Sequence, residues 1–258
     1  MVPRKLGRTG LAVSAIGLGT TKLGRNTDVK YPERFPLPSD EAVRELLETS
    51  LALGVNLIDT APAYGESERR LGAFVESNRD RIVLCTKCGE RYKDGRSTYD
   101  FSATGIVASV EESLRRLRAD TIDILLLHSH GRDIEILEQT DALEALLRLK
   151  KDGKARAVGI SAKTEAGIAR ACAALDVVMA PFSEKETSLA DALTKAHEAG
   201  LGVLAIKGLY SGHLEAASAI EFVLKQPFID ALVVGTISPT HLREAVAVAN
   251  ECLNQKST

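Results

Sequence analysis

Asp59 and Tyr64 stand close together in the stretch Asn56 to Gly72, which reads N-L-I-D-T-A-P-A-Y-G-E-S-E-R-R-L-G. The carboxylate falls where a short apolar strand, Asn56-Leu57-Ile58, runs out. The phenol sits on the turn through Thr60, Ala61, Pro62 and Ala63. Gly65-Glu66-Ser67-Glu68 then opens a helix, with Ser67 as its expected cap and acidic residues in its first turn. Alone, either residue reads as structural: an acid held by a backbone amide, a tyrosine packed on its neighbours. Two further residues change that. Alternation by two puts Leu57 and Asp59 on one face of their strand, Val83, Cys85 and Lys87 on one face of the next, and Ile124, Leu126 and His128 on one face of the third. Three neighbouring strands thus end in Asp59, Lys87 and His128 beside Tyr64.

A lysine facing inward at the end of an apolar strand needs a partner, because an unpaired buried charge is costly. Asp59 supplies one. A free tyrosine has a pKa of about 10, and a nearby ammonium is expected to lower it. His128 is placed to hydrogen-bond a substrate oxygen and orient it. The group suits protonation of an oxygen that gains charge as its carbon accepts hydride.

These residues need a scaffold, and the pattern around them repeats. A hairpin is expected over Lys5–Ser14, from the turn signals Gly7 and Thr9-Gly10. Strand Ala15–Thr20 precedes a long polar loop, Thr21 to Pro38, which carries Pro32, Pro36 and Pro38. Ser39 caps a helix that ends near Gly54. The remaining pairs of strand and helix are Asn56–Thr60 with Glu66–Glu76, Ile82–Lys87 with Ser102–Leu117, Ile122–His128 with Thr140–Lys151, Ala155–Ser161 with Glu165–Ala173, Val177–Ala180 with Ser188–Ala199, Gly202–Lys207 with Leu214–Lys225, and Ala231–Thr236 with Pro239–Asn250. The strands are apolar on both faces, as parallel strands buried by helices must be. Eight β/α units in one domain, residues 1–258, make an α/β fold of the (β/α)8 (TIM) barrel type with an N-terminal β-hairpin. A doubly wound open sheet is the rival. It is disfavoured because Gly17-Leu18-Gly19 is followed by Thr20-Thr21-Lys22 and not by G-x-x-G spacing.

With those motifs in view, the chain resembles the aldo-keto reductase superfamily, as a short, bacterial-type member. N-L-I-D-T-A-P-A-Y-G followed by S-E-R-R-L-G is similar to the family's Asp-loop-Tyr signature, C-T-K carries the family lysine as Lys87, and D-I-L-L-L-H carries the family histidine as His128. The resemblance runs from the hairpin K-L-G-R-T-G-L-A-V-S to the last helix. It implies an oxidoreductase that reduces an aldehyde or ketone by hydride transfer from a reduced nicotinamide. Tyr64 would be the acid, Lys87 and Asp59 would tune it, and His128 would position a small-molecule carbonyl.

The resemblance also implies cofactor positions. Gly19, Thr20 and Thr21 match the segment beside nicotinamide and ribose, and Ser161 matches the serine that binds the carboxamide. Ala162 stands where asparagine is expected and Met179 where glutamine is expected. Ile206 replaces a stacking tyrosine and Lys207 a serine near the pyrophosphate, while Gly208, Leu209, Gly212 and Leu214 keep the outline of the phosphate loop. Gly235, Thr236, Ser238, His241 and Glu244 match the adenosine segment, with Gly235, His241 and Ala245 in place of the usual basic residue, arginine and asparagine. NADPH is the family expectation. The loss of cationic partners for a 2′-phosphate keeps NADH in view.

Composition is in keeping with this. The 258 residues carry a formal net charge of −2, and the pI near 6.3 argues against nucleic acid or an anionic membrane as the main partner. The N-terminus has no apolar leader and no run spans a bilayer, so a cytoplasmic protein is expected. The four cysteines show no framework spacing. Cys85-Thr86-Lys87-Cys88 is read as structural thiols, Cys85 in the barrel and Cys88 in the loop, because zinc would need two further ligands. His130 reads equally as a substrate contact or a solvated histidine, and Arg91, Lys93 and Arg96 as a solvated basic loop, with contact to an acidic substrate as the lesser alternative. The short loop after strand seven and the chain end at Thr258 leave an open pocket expected. An oligomeric state has no signal in the residues. Two rival functions are a nicotinamide-binding sensor with little turnover, motivated by the altered cofactor contacts, and a metal-dependent barrel, for which the rim is too poor in ligands.

Overall fold

The computed structural model describes residues 1–29 and 34–255. Pro32 of the expected long loop and residues 256–258 of the expected domain lie outside the described residues. The strands are β1 (Arg4–Lys5), β2 (Ala12–Val13), β3 (Ile16–Gly19), β4 (Leu57–Asp59), β5 (Val83–Cys88), β6 (Glu90–Lys93), β7 (Arg96–Tyr99), β8 (Ile122–His128), β9 (Ala155–Ser161), β10 (Val177–Pro181), β11 (Gly202–Ile206) and β12 (Ala231–Gly235). The helices are α1 (Thr21–Gly24), α2 (Asp40–Ala52), α3 (Ser67–Asn78), α4 (Ala103–Leu117), α5 (Asp133–Glu138), α6 (Ala142–Lys151), α7 (Glu165–Ala171), α8 (Ala190–Glu198), α9 (Ala216–Leu224) and α10 (Pro239–Gln255). Strands β3, β4, β5, β8, β9, β10, β11 and β12 pair in parallel and close a barrel. This is the expected (β/α)8 architecture.

Alternation along the strands builds two cores. Leu57, Val83, Cys85, Ile124, Leu126 and Met179 point into the barrel, where Leu6, Leu11 and Val13 of the β1–β2 hairpin join them. The residues between them, Ile58, Leu84, Leu125 and Leu127, face outward and pack with helix residues such as Leu46, Leu71, Val110 and Leu146. Each such side chain contributes about 1.5–3 kcal/mol when fully buried. The hairpin closes one mouth of the barrel. Leu6 packs so tightly on Gly202, the first residue of β11, that a Cβ there would lie 2.5 Å from the leucine side chain. That seals the N-terminal ends of the strands and leaves the C-terminal ends for loops. The helices start where short polar side chains can satisfy their free N–H groups: Ser39 accepts from Ala42, Ser102 from Gly105 and Thr164 from Gly167.

Several local expectations are corrected. The polar segment after β3 opens with the single-turn helix α1. The basic loop after β5 is an antiparallel hairpin, β6–β7, turned by Asp94 and Gly95 at φ of 52° and 77°, the left-handed pair that a tight Asp-Gly hairpin turn requires. The polar loop after β8 contains α5. Ser67 is not a helix cap: it is the first residue of α3 and fully buried. Cys88 is not in a loop; it ends β5 and packs with the outer core.

Candidate active site

The C-terminal rim gathers the four residues. Asp59 ends β4, Lys87 is the penultimate residue of β5 and His128 ends β8. Lys87 Nζ donates to Asp59 Oδ1 at 2.6 Å and to the Thr60 carbonyl at 3.0 Å. The side chains of the pair are 1% and 3% exposed. Tyr64 lies on a 3-10 turn, Pro62–Tyr64, with its ring centroid 4.7 Å from Lys87 Nζ. Its ring meets that of His128 edge-on, with centroids 6.1 Å apart.

Two devices hold the tyrosine turn. The first is a chain of buried hydroxyls: Thr60 Oγ1 donates to Ser67 Oγ, Ser67 donates to Thr20 Oγ1, and Thr20 donates to the Asp59 carbonyl. The second is a close approach of α1, where a Cβ on Gly24 would lie 2.3 Å from the Tyr64 carbonyl oxygen and 2.2 Å from Ser67 N. Only glycine permits that contact.

Electrostatics sharpen the group. Burial works against the Lys87 charge, but Asp59 outweighs it and raises the ammonium pKa, so Lys87 stays protonated. For Tyr64 the expected direction is corrected. Burial of the phenol pushes its pKa up, and the lowering by Lys87 does not overcome it. The phenol therefore keeps its proton near neutrality. His128 is pulled down by burial, against the raising effect of Glu90. Burial raises Glu90 in turn, yet its contacts with His128 and Ser97 prevail and hold it at about 2. Burial also pushes the Cys85 and Cys88 thiols up, which suits inert thiols. Among the described residues no group of three or more His, Cys, Asp or Glu could hold a metal ion.

A cavity of about 300 Å³ opens at this rim and is lined by Asp59, Tyr64 and His128. The same cavity is lined by Gly19 at the end of β3 and Thr21 at the start of α1, by Ile206 at the end of β11 and Lys207, Gly208, Leu209 and Gly212 after it, and by Gly235 at the end of β12. These are eight of the positions expected to meet a cofactor. Thr21 works against the rise in the Tyr64 pKa. The loop after β11 is left-handed at Lys207, Tyr210 and Ser211, with φ of 58°, 47° and 60°. Such backbone collects at functional rims.

The other expected cofactor positions lie outside that lining. Thr20 is buried, and its hydroxyl is committed to Asp59 and Ser67. Met179 fills the barrel interior. Ser161 is buried at the end of β9, in register with His128. Leu214 follows the β11 loop. Thr236 Oγ1 accepts from Ser238 N, and Ser238 Oγ accepts from His241 N, so these hydroxyls organise the start of α10. His241 and Glu244 are exposed on that helix. His130 packs edge-on against Tyr99 and Phe101, clear of the cavity lining. Arg91 pairs with Glu112, and Lys93 and Arg96 are exposed.

Sequence reasoning overlooked Lys22 and Arg25, which line the cavity from the α1 segment, and Glu90, which lies behind His128. Asp94-Gly95 between alternating residues was the available signal for the hairpin that carries Glu90.

A parallel eight-stranded barrel with a buried ammonium–carboxylate pair beneath a tyrosine and a histidine at its C-terminal rim defines a class of barrel with titratable side chains gathered at the mouth of one cleft. Residues 15–221 match the model of the aldo/keto reductase family, and the chain belongs to that family. It superposes on the structure of an aldo-keto reductase from Pseudomonas aeruginosa with a TM-score of 0.90, at 43% identity, over 97% of this chain and 95% of that one. L-galactose dehydrogenase of Arabidopsis thaliana is 40% identical over 165 residues, 61% of this chain and 47% of that protein. D-threo-aldose 1-dehydrogenase of a Pseudomonas species is 34% identical over 195 residues, 66% of this chain and 57% of that protein. The matches thus span about half the length of these two curated relatives.

Proposed function

We propose that this protein is an NAD(P)H-dependent oxidoreductase that interconverts an aldehyde or ketone and its alcohol, with Tyr64 as general acid for the reduction. One observation carries the reading: a single cavity joins Asp59, Tyr64 and His128 to the Ile206–Gly212 loop. The loop and the β3 and β12 ends fit a nicotinamide dinucleotide. Gly19 and Gly235 leave the cleft floor without side chains, Ile206 offers an apolar surface, and Lys207 brings positive charge. The bound cofactor supplies hydride.

The chain's own residues do the rest. Lys87, fixed by Asp59, lies beside the phenol and favours the negative charge that Tyr64 takes on as it gives up its proton. His128 orients the substrate oxygen. The cofactor we expect is NADPH, with NADH also accepted. The names of the two curated relatives favour a sugar as substrate, an aldose or its C1 hydroxyl form. Titration with NADPH and NADH, followed by turnover on a panel of aldoses and simple carbonyls, tests the reading. Binding of either cofactor with turnover of at least one aldose is expected. No binding of either, or binding without turnover across the panel, rejects it.

A further inference from the structure

The segment that follows α1 brings to the cavity a carboxylate that the mechanism above does not use. Asp28 lines the cavity together with Arg25, and Arg25 Nη2 donates to Asp28 Oδ2 at 2.7 Å. The arginine is itself built in. Its side chain is 9% exposed, and its guanidinium lies 3.6 Å from the ring centroid of Tyr92 on β6. Nη1 donates to the carbonyl of Ala63, the residue before Tyr64, at 3.1 Å. Nε and Nη2 donate to the carbonyls of Thr27 and Asp28 at 3.1 and 2.9 Å. The Thr27 hydroxyl adds a further tie, 2.8 Å from that of Tyr92. Arg25 therefore fixes the Asp28 carboxylate relative to the turn that carries Tyr64.

This arrangement leaves half of the carboxylate open. The Asp28 side chain is 71% exposed, and among the described residues no donor reaches Oδ1. Its backbone sits at φ of 52°, a conformation that costs an L residue energy and that collects at ligand clamps. A carboxylate accepts hydrogen bonds and donates none, so a ligand group that meets Oδ1 must be a donor, either an ammonium or a hydroxyl. The Arg25 guanidinium against the same carboxylate and Lys22 in the same lining repel a cation. A neutral hydroxyl is what remains.

We propose that Asp28, with Oδ2 fixed by Arg25, is a specificity-determining residue whose Oδ1 accepts a hydrogen bond from a substrate hydroxyl remote from the reacting carbonyl. The inference rests on the proposed oxidoreductase site and narrows its substrate class to uncharged, hydroxylated carbonyl compounds, of which an open-chain sugar is one. Tyr64 and His128 meet the carbonyl oxygen, and Asp28 meets a hydroxyl further along the chain. Hydrogen bonds to a charged acceptor are the strong ones. A substrate that lacks the hydroxyl forgoes that bond and gains nothing in its place.

The test uses the full-length protein and its Asp28→Asn and Asp28→Gly variants, since asparagine and glycine both accept the left-handed backbone. Steady-state reduction compares an aldose with the straight-chain aldehyde of the same carbon number, which has no hydroxyls. In Asp28→Gly the ratio of kcat/KM for the aldose to kcat/KM for the aldehyde should fall about ten- to a hundredfold, chiefly through KM of the aldose. Asp28→Asn, which keeps a neutral acceptor, should fall part of the way. A ratio that stays at the wild-type value in folded, cofactor-binding variants overturns the proposal, because Asp28 then shapes the segment and reads no hydroxyl. A loss of NADPH affinity as large as the loss on the aldose also overturns it, because the carboxylate then serves the cofactor. Wild type that reduces the aldehyde but no aldose overturns it too and leaves the site reading standing. Tyr64→Phe separates this from failure of that reading. If that variant reduces both substrates at the wild-type rate, the whole site is misassigned. If it is inactive while Asp28→Gly keeps the wild-type ratio, only the role of Asp28 falls.

Discussion

Lys87 and Asp59 are costly residues to place. Both are withdrawn from water, and the pair is tolerable because each cancels the other and Lys87 makes a second bond to Thr60. Removing one partner leaves a buried, uncompensated charge, which costs about 3–5 kcal/mol. Lys87→Met should therefore lower unfolding free energy in urea by about that amount, in addition to losing activity. A change below about 1 kcal/mol would mean that the pair is solvated, since exposed pairs have that value. His128 adds a pH term. Its folded pKa lies below its unfolded value of about 6.5. As pH falls below that value the unfolded chain takes the proton first, so this contribution to stability is complete above about 6.5 and declines below it. The stability advantage of wild type over His128→Gln should shrink from pH 8 toward pH 5, read as the difference in urea midpoints. A constant difference across that range contradicts the assignment.

Each element that builds the rim has a simple local cause, but some causes act across the chain. Asp59, Lys87 and His128 were legible as one face because a strand repeats every two residues, and the interior core confirms that alternation. The barrel was legible for the same reason. The turn that carries Tyr64 was not, because its shape depends on α1 meeting it at Gly24, and that contact joins segments with no shared periodicity. The role of Ser67 was misread on similar grounds. A serine before acidic residues signals a cap locally, yet here its hydroxyl is drawn into the Thr60–Thr20 chain. A specific outcome follows for Gly24→Ala. The added Cβ must push the Tyr64 turn or α1 aside, and displacements near 1 Å cost about a hundredfold in rate. We expect a fall of that order in kcat, with cofactor affinity within a few-fold of wild type. Wild-type kcat in this variant would show that the turn is not held there.

At the scale of the whole molecule, the barrel divides its labour between two ends. The hairpin residues Leu6, Leu11 and Val13 fill the N-terminal mouth, and the opposite mouth opens the cavity, the end at which barrels of this class place their active sites. The cavity positions around the ends of β3, β11 and β12 were harder to read than Asp59, Tyr64 and His128. Backbone and glycine do much of the lining there, at Gly19, Gly208, Gly212 and Gly235, and such positions bear no side-chain signature. Among the described residues no helix is long and apolar enough to cross a membrane.

The central claim is that Tyr64 gives the proton while a nicotinamide cofactor gives the hydride. Single-turnover mixing of the protein–NADPH complex with an aldose, followed by nicotinamide absorbance, tests it most directly. Wild type should oxidise the bound cofactor in one phase. Tyr64→Phe should bind NADPH with unchanged affinity and transfer hydride about 10²–10⁴-fold more slowly, the usual range for loss of a general acid. Hydride transfer by Tyr64→Phe within a few-fold of the wild-type rate would contradict the account.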